Sequence, residues 1–262
     1  CGAPVSSIDW ESTLAMPPCV RRFERTIPVH VLEREADLTR TQREGLGKIE
    51  TLTLLGVAQE TTTSIPATPA TDRRIDAVLF VRASLGNTRA LESTATVVHA
   101  CFPHPSVLIL ENARGDVCLS AALTSRRKRA TGFAVNAMEA DSDIGSWRRT
   151  EQGKAFLSSL AFETLDQRSL AHLTQDIMAR IRLARVARLV GFYPDPGLCR
   201  TPDVVAVIER LLECQGRQDR LRARWKAHGT TQRERLRLRI PLSEAIDQTK
   251  AAVDELTRRC GR

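Results

Sequence analysis

The chain has 262 residues, 42% of them hydrophobic and 27% charged, with a formal net charge of +8. That is the composition of an ordinary globular protein long enough to bury a core. No apolar run approaches the roughly 20 residues that cross a bilayer, so a membrane span is excluded and a cytoplasmic location is expected. Aromatic residues make up 4%, with a single tyrosine, which argues against a surface of stacked rings for single-stranded bases.

Residues 1–45 read as an irregular leader with a short helix, broken by Pro4, Pro17, Pro18 and Pro28. "DLTRTQREGLGKIETLTLLG" then opens with Asp37 or Thr39 as a helix N-cap and places Leu46 and Ile49 on one face. "ETTTSIPATPATDRR" follows as a polar loop with nothing against which to pack.

Residues 46–163 predict a mixed-sheet core. "IDAVLFVRA" has the length and branched content of a buried strand. "NTRALESTATVVHA" predicts a helix capped by Asn87 or Thr88, with Leu91, Ala95 and Val98 on one face. "SVLILE", the turn "NARGD" and "VCLSAAL" continue as strand, turn and strand, and "TGFAVNAM" adds another by its alternation. Strand, helix, strand and hairpin strand make a mixed sheet with a covering helix.

Residues 164–262 predict a helical, basic region. Leu170, Leu173, Ile177, Ile181 and Ala184 recur at helical spacing, and "GFYPDPG" breaks that helix. Val204, Ile208, Leu211 and Leu212 mark a second helix, whose polar continuation carries Arg217, Arg220 and Arg224. "RERLRLRIPL" then alternates: Arg233, Arg235, Arg237 and Arg239 fall on one parity, and Leu236, Leu238, Ile240 and Leu242 on the other. At period two it predicts a half-buried strand with a four-arginine outer face. Leu242, Ile246, Thr249, Val253, Leu256 and Cys260 step by four and three, a short seam of coiled-coil type. So short a seam has to dock on its own domain or on another subunit, with Leu242, Ile246, Val253 and Leu256 as the partner-binding positions. The whole chain is thus expected to be α+β, a mixed sheet with covering helices followed by a helical C-terminal region.

Four stretches, "ETTTSIPATPATDRRIDAVLFVRASL", "VVHACFPHPSVLILENARGDVCLSAALTSRRKR", "FLSSLAFETLDQRSLAHLTQDIMARI" and "RLRIPLSEAIDQTKAAVDEL", carry a resemblance. In this order they resemble a bacterial family of uncharacterised function encoded beside helicases and DNA methyltransferases in restriction and phage-defence gene clusters. The resemblance implies a nucleic-acid-handling context, with a helicase or methyltransferase as partner. It carries over no catalytic residues, and the first forty-five residues lie outside it.

The positive charge is concentrated. Between positions 217 and 239 stand nine basic residues against Asp219 and Glu234, a net +7 out of the chain's +8. Arg126, Arg127, Lys128 and Arg129 in "SRRKR" form a second cluster. Charge gathered in this way faces polyphosphate or an acidic partner. If the two clusters share one surface, they are expected to hold a DNA or RNA backbone through arginine's planar fork of donors. The alternative is two unrelated solvated patches, or arginines facing Asp or Glu on a partner subunit.

Other chemistry is thinner. "HACFPH" sets His99, Cys101 and His104 within six residues, but offers no fourth zinc ligand, so a core cysteine and two hydrogen-bonded histidines are the better reading. Asp76 and Glu111 could hold Mg²⁺ in a degenerate nuclease, yet no acid-x-lysine follows on the next strand. No phosphate-binding glycine loop or nucleophile elbow is present, and no cofactor or metal is expected. The seven cysteines are scattered without a C-x-x-C pair, which fits reduced thiols. The expectation is a non-catalytic accessory subunit of a DNA-targeting defence or restriction assembly, with a degenerate metal-dependent nuclease or a protein-only scaffold as alternatives.

Overall fold

The structure, a computed structural model, describes residues 8–35, 38–69, 74–126, 133–227 and 231–261. It divides into two compact units, residues 1–184 and 185–262.

Among the described residues of the first unit, six strands form one sheet in sequence order: β1 (Arg21–Thr26), β2 (Ile49–Gln59), β3 (Ala77–Leu85), β4 (Ser106–Asn112), β5 (Val117–Arg126) and β6 (Phe133–Asp141). Each neighbouring pair is antiparallel except β3 and β4, which are parallel. A parallel pair needs a crossover, and Leu91–His99, an α-helix, supplies it. Both parallel strands are buried on two faces, which explains the near-continuous apolar run "VLIL" in β4. On one face Leu52, Val81, Ala83, Leu85, Leu108 and Leu110 pack with Leu91, Ala95 and Val98 of the crossover helix. On the other, Phe80 meets Phe162 with ring centroids 6.3 Å apart.

The described part of the leader is not irregular. Trp10–Leu14 (α1), Val29–Glu35 (α2) and Arg40–Leu46 (α3) are helices, and β1 extends the sheet beside β2. Its described prolines punctuate these elements instead of interrupting them: Pro17 and Pro18 precede β1, and Pro28 stands just before α2. Trp10 is buried, and its indole Nε1 donates to Glu111 at 3.0 Å. Thr39 caps α3 with a complete capping box, one of the two caps expected there. At the crossover helix (α4) Thr88 instead accepts from the backbone of Ala90, the residue before the first turn. The Thr/Pro stretch also finds partners: Ile65 is buried, and Thr68 Oγ1 donates to Ser169 Oγ at 2.8 Å.

Glu151–Ser159 (α5) and Leu170–Val190 (α6) follow. The first part of α6 belongs to the first unit, so the boundary falls at 184/185 and not at 163/164. The reason is visible at its start, where Leu170 N bonds Pro66 O and Thr174, Ile177 and Ile181 are buried. The second unit contains the end of α6, Pro202–Lys226 (α7) and Gln232–Arg259 (α8). No described helix is long and apolar enough to cross a membrane.

Candidate nucleic-acid interface

The arginine-leucine alternation is helical. Residues 233–242 form the first turns of α8, not a strand. Arginine and leucine are both strong helix formers. The helix also has a definite start: Thr231 accepts from the backbone N–H of Glu234, and the Glu234 carboxylate accepts from that of Thr231 at 2.8 Å. Those bonds hold the Glu234 carboxyl below its ordinary pKa, with Arg224 and Arg237 adding to the effect. Pro241 lies inside the helix and removes the N–H that would bond the Arg237 carbonyl. The helix continues past it because Leu238 and Leu242 join the seam on either side.

That seam runs through Leu238, Leu242, Ala245, Thr249, Ala252 and Leu256, the expected rhythm shifted by one turn. It faces α7, which runs antiparallel to α8. Arg259 Nη1 lies 3.7 Å from Asp203, Arg210 pairs with Glu255, and Arg217 Nη1 donates to Gln248 at 3.5 Å. Thr249 Oγ1 donates to Ala245 O and so accepts from the Gln218 amide at 3.2 Å. The Gln218 oxygen in turn holds Arg222 at 2.9 Å. Leu256 is fully buried, Leu242 and Val253 are half-buried, and Ile246 is exposed. The seam expected to bind a partner protein is therefore largely closed within the chain, because the antiparallel hairpin brings α7 onto it.

The hairpin gathers the basic window at one end. Arg217, Arg220, Arg222, Arg224 and Lys226 stand on the last turns of α7, and Arg233, Arg235, Arg237 and Arg239 on the first turns of α8; all nine are exposed. A cleft of about 350 Å³ there is lined by Arg224, Ala227, Glu234, Arg237 and Leu238. On a helix, successive alternate residues lie about 200° apart, so the four arginines of α8 divide between two flanks. Leu236 and Ile240, expected in a core, are 62% and 68% exposed, the highest values for large hydrophobics among the described residues. Reading the same ten residues at the helical period would have separated Leu238 from Leu236 and Ile240. Arg126 ends β5, while Arg127, Lys128 and Arg129 lie outside the described residues, so the described interface consists of the hairpin alone.

The remaining candidates sit in the first unit. His99 is fully buried, its Nδ1 2.7 Å from Ser106 Oγ and its Nε2 2.9 Å from Ser120 Oγ. Ser120 donates its proton to Glu139 O, so it accepts from Nε2–H, and Nδ1 accepts from Ser106. Burial drives the His99 pKa down to about 3 and holds the ring neutral. Cys101 Sγ donates to Val97 O, and burial pushes this thiol up to about 12. His104 Nδ1 lies 3.3 Å from Asp76 Oδ1. These three residues are thus spread over separate partners, and among the described residues no group of three or more His, Cys, Asp or Glu could hold a metal ion.

Asp76 and Glu111 do not meet. Glu111 lies opposite Ser84 of β3, whereas Asp76 precedes the start of that strand. Eight residues of extended chain separate the two levels by about 26 Å, beyond the reach of a shared Mg²⁺. Glu111 also accepts from Trp10 Nε1 and, at 2.9 and 2.5 Å, from Arg82.

Neither a curated protein nor a solved structure matches this chain. The family model described as "Domain of unknown function (DUF4391)" matches residues 14–244. An ordered sheet core and a basic helical hairpin are therefore what this protein offers as a member of that family, to which the chain belongs.

Proposed function

We propose that this chain is a non-catalytic accessory subunit of a bacterial DNA-targeting defence or restriction assembly. In this reading the tip of the α7–α8 hairpin binds nucleic-acid phosphates, and a helicase or methyltransferase subunit performs the chemistry. One observation carries it: nine cations and two acids, nearly the whole net charge of the chain, stand on one exposed end of a helical hairpin. Mutual repulsion opposes such crowding, and a bound polyanion relieves it. Ion pairs of the same hairpin, Arg210–Glu255 and Arg259–Asp203, lie toward the opposite end, and the tip holds nine cations against two acids. The separation of Asp76 from Glu111 weighs against the nuclease reading.

Fluorescence anisotropy with a labelled oligonucleotide across a salt series tests the proposal. Affinity should fall linearly on logarithmic axes, with a slope near −0.9 for each phosphate neutralised on duplex DNA. Binding that is absent at low salt, or indifferent to salt, would rule it out.

A further inference from the structure

Leu236 and Ile240 stand one turn apart at the basic tip, with their side chains in water. Aliphatic side chains of this size gain by leaving water, so two of them exposed one turn apart offer a contact to a partner surface. The stripe is local. The same face continues through Ser243, Asp247, Lys250 and Asp254, all polar and exposed. A face devoted only to phosphates has no use for aliphatic groups, and a membrane-seeking helix would need a longer apolar stripe.

The arrangement around the stripe is specific. At about 100° per residue, Arg233 and Arg237 fall about 60° and 100° to one side of Leu236, and Arg239 and Arg235 equally far to the other. Leu238 and the seam against α7 occupy the opposite side. The outward face of α8 therefore has an apolar midline and two cationic flanks. A B-form major groove presents the complementary surface: base edges that include thymine methyl groups along its floor, and a row of phosphates on each wall. Its width of about 12 Å accepts a helix about 10–12 Å across, whereas the deep, narrow major groove of A-form RNA does not.

Resting on the phosphate-binding reading above, we infer that the first turns of α8 lie in the major groove of duplex DNA, with Leu236 and Ile240 against base edges and the flanking arginines on the two phosphate backbones. The ligand class is double-stranded DNA, in preference to RNA duplex, single strands or an acidic polypeptide.

The test is binding of the full-length chain to a 20-base-pair DNA duplex, the RNA duplex of the same sequence, a single DNA strand and polyglutamate. The L236S/I240S variant should keep its fold, since both positions are exposed, and I246S serves as a control outside the basic segment. The expected result is duplex DNA bound tightest, a loss of about tenfold in L236S/I240S with an unchanged salt slope, and no loss in I246S. If L236S/I240S binds duplex DNA like the parent, or if RNA duplex or single strand binds as tightly, the groove assignment falls while the phosphate reading stands. If no nucleic acid binds, or polyglutamate competes equally, both fall.

Discussion

Arg180 of the first unit and Arg237 of the second show what surroundings do to the same side chain. Arg180 is 4% exposed, and its donors are taken up by Asp176 Oδ2 at 3.0 Å, the carbonyl of Ser159, and Thr164 through its hydroxyl and carbonyl. It ties α6 to the segment before it, and nothing from outside can reach it. Arg237 is exposed on the first turns of α8, beside eight further cations on the hairpin end. At Arg180 charge is consumed by the fold; at the hairpin tip it is displayed. Charge that is displayed does not stabilise the monomer, which is why its use has to be sought in a partner.

Four substitutions or conditions test this contrast. Arg180→Ala leaves Asp176 charged in a buried site, and a loss of about 3–5 kcal/mol in urea unfolding is expected, with no such loss for Arg237→Ala. Equal effects would end the distinction between the two regions. The converse variant, R233Q/R235Q/R237Q/R239Q, should leave stability nearly unchanged, weaken nucleic-acid binding on the order of a hundredfold, and flatten the salt slope by about 3 to 4. Anisotropy at several salt concentrations reads both quantities.

The third concerns His99. Its folded pKa of about 3 lies below the ordinary histidine value of 6.5, so between these the unfolded chain binds the proton and the folded chain does not. Stability is therefore complete above pH 6.5 and falls as pH drops toward 3, by roughly 1.4 kcal/mol per pH unit. Urea melts at pH 7 and pH 5 should show this decline, and His99→Gln should flatten it. The smallest effect is expected for Thr231→Ala, which removes the capping box and should cost about 1 kcal/mol, localised to the first turn of α8 in amide hydrogen exchange.

Much of the sheet unit was legible along the chain because its strands and helices are built on local patterns. "IDAVLFVRA", "SVLILE" and "VCLSAAL" are strands, and Leu170 to Ala184 lie on one helix, as their spacing implies. The leader reads as irregular because β1 owes its existence to pairing with β2, a contact invisible from residues 21–26 alone. "RERLRLRIPL" misleads because period two in arginine and leucine fits a strand, while the capping residues just before it and the seam just after it specify a helix. Of the candidate interface, the identity and crowding of the cations could be read directly. Their display on one hairpin end, and the exposure of Leu236 and Ile240, could not.

Composition and short-range spacing carry the α+β class, the position of the charge excess and the lack of familiar phosphate-binding motifs, and these can be read along the chain. Which leucines are buried, which arginines are neutralised inside the molecule, and the placing of Asp76 and Glu111 at opposite ends of a strand pair emerge in the folded chain. Those outcomes depend on contacts between residues far apart in the chain, and the packing of α7 on α8 chooses the buried face where periodicity alone left two.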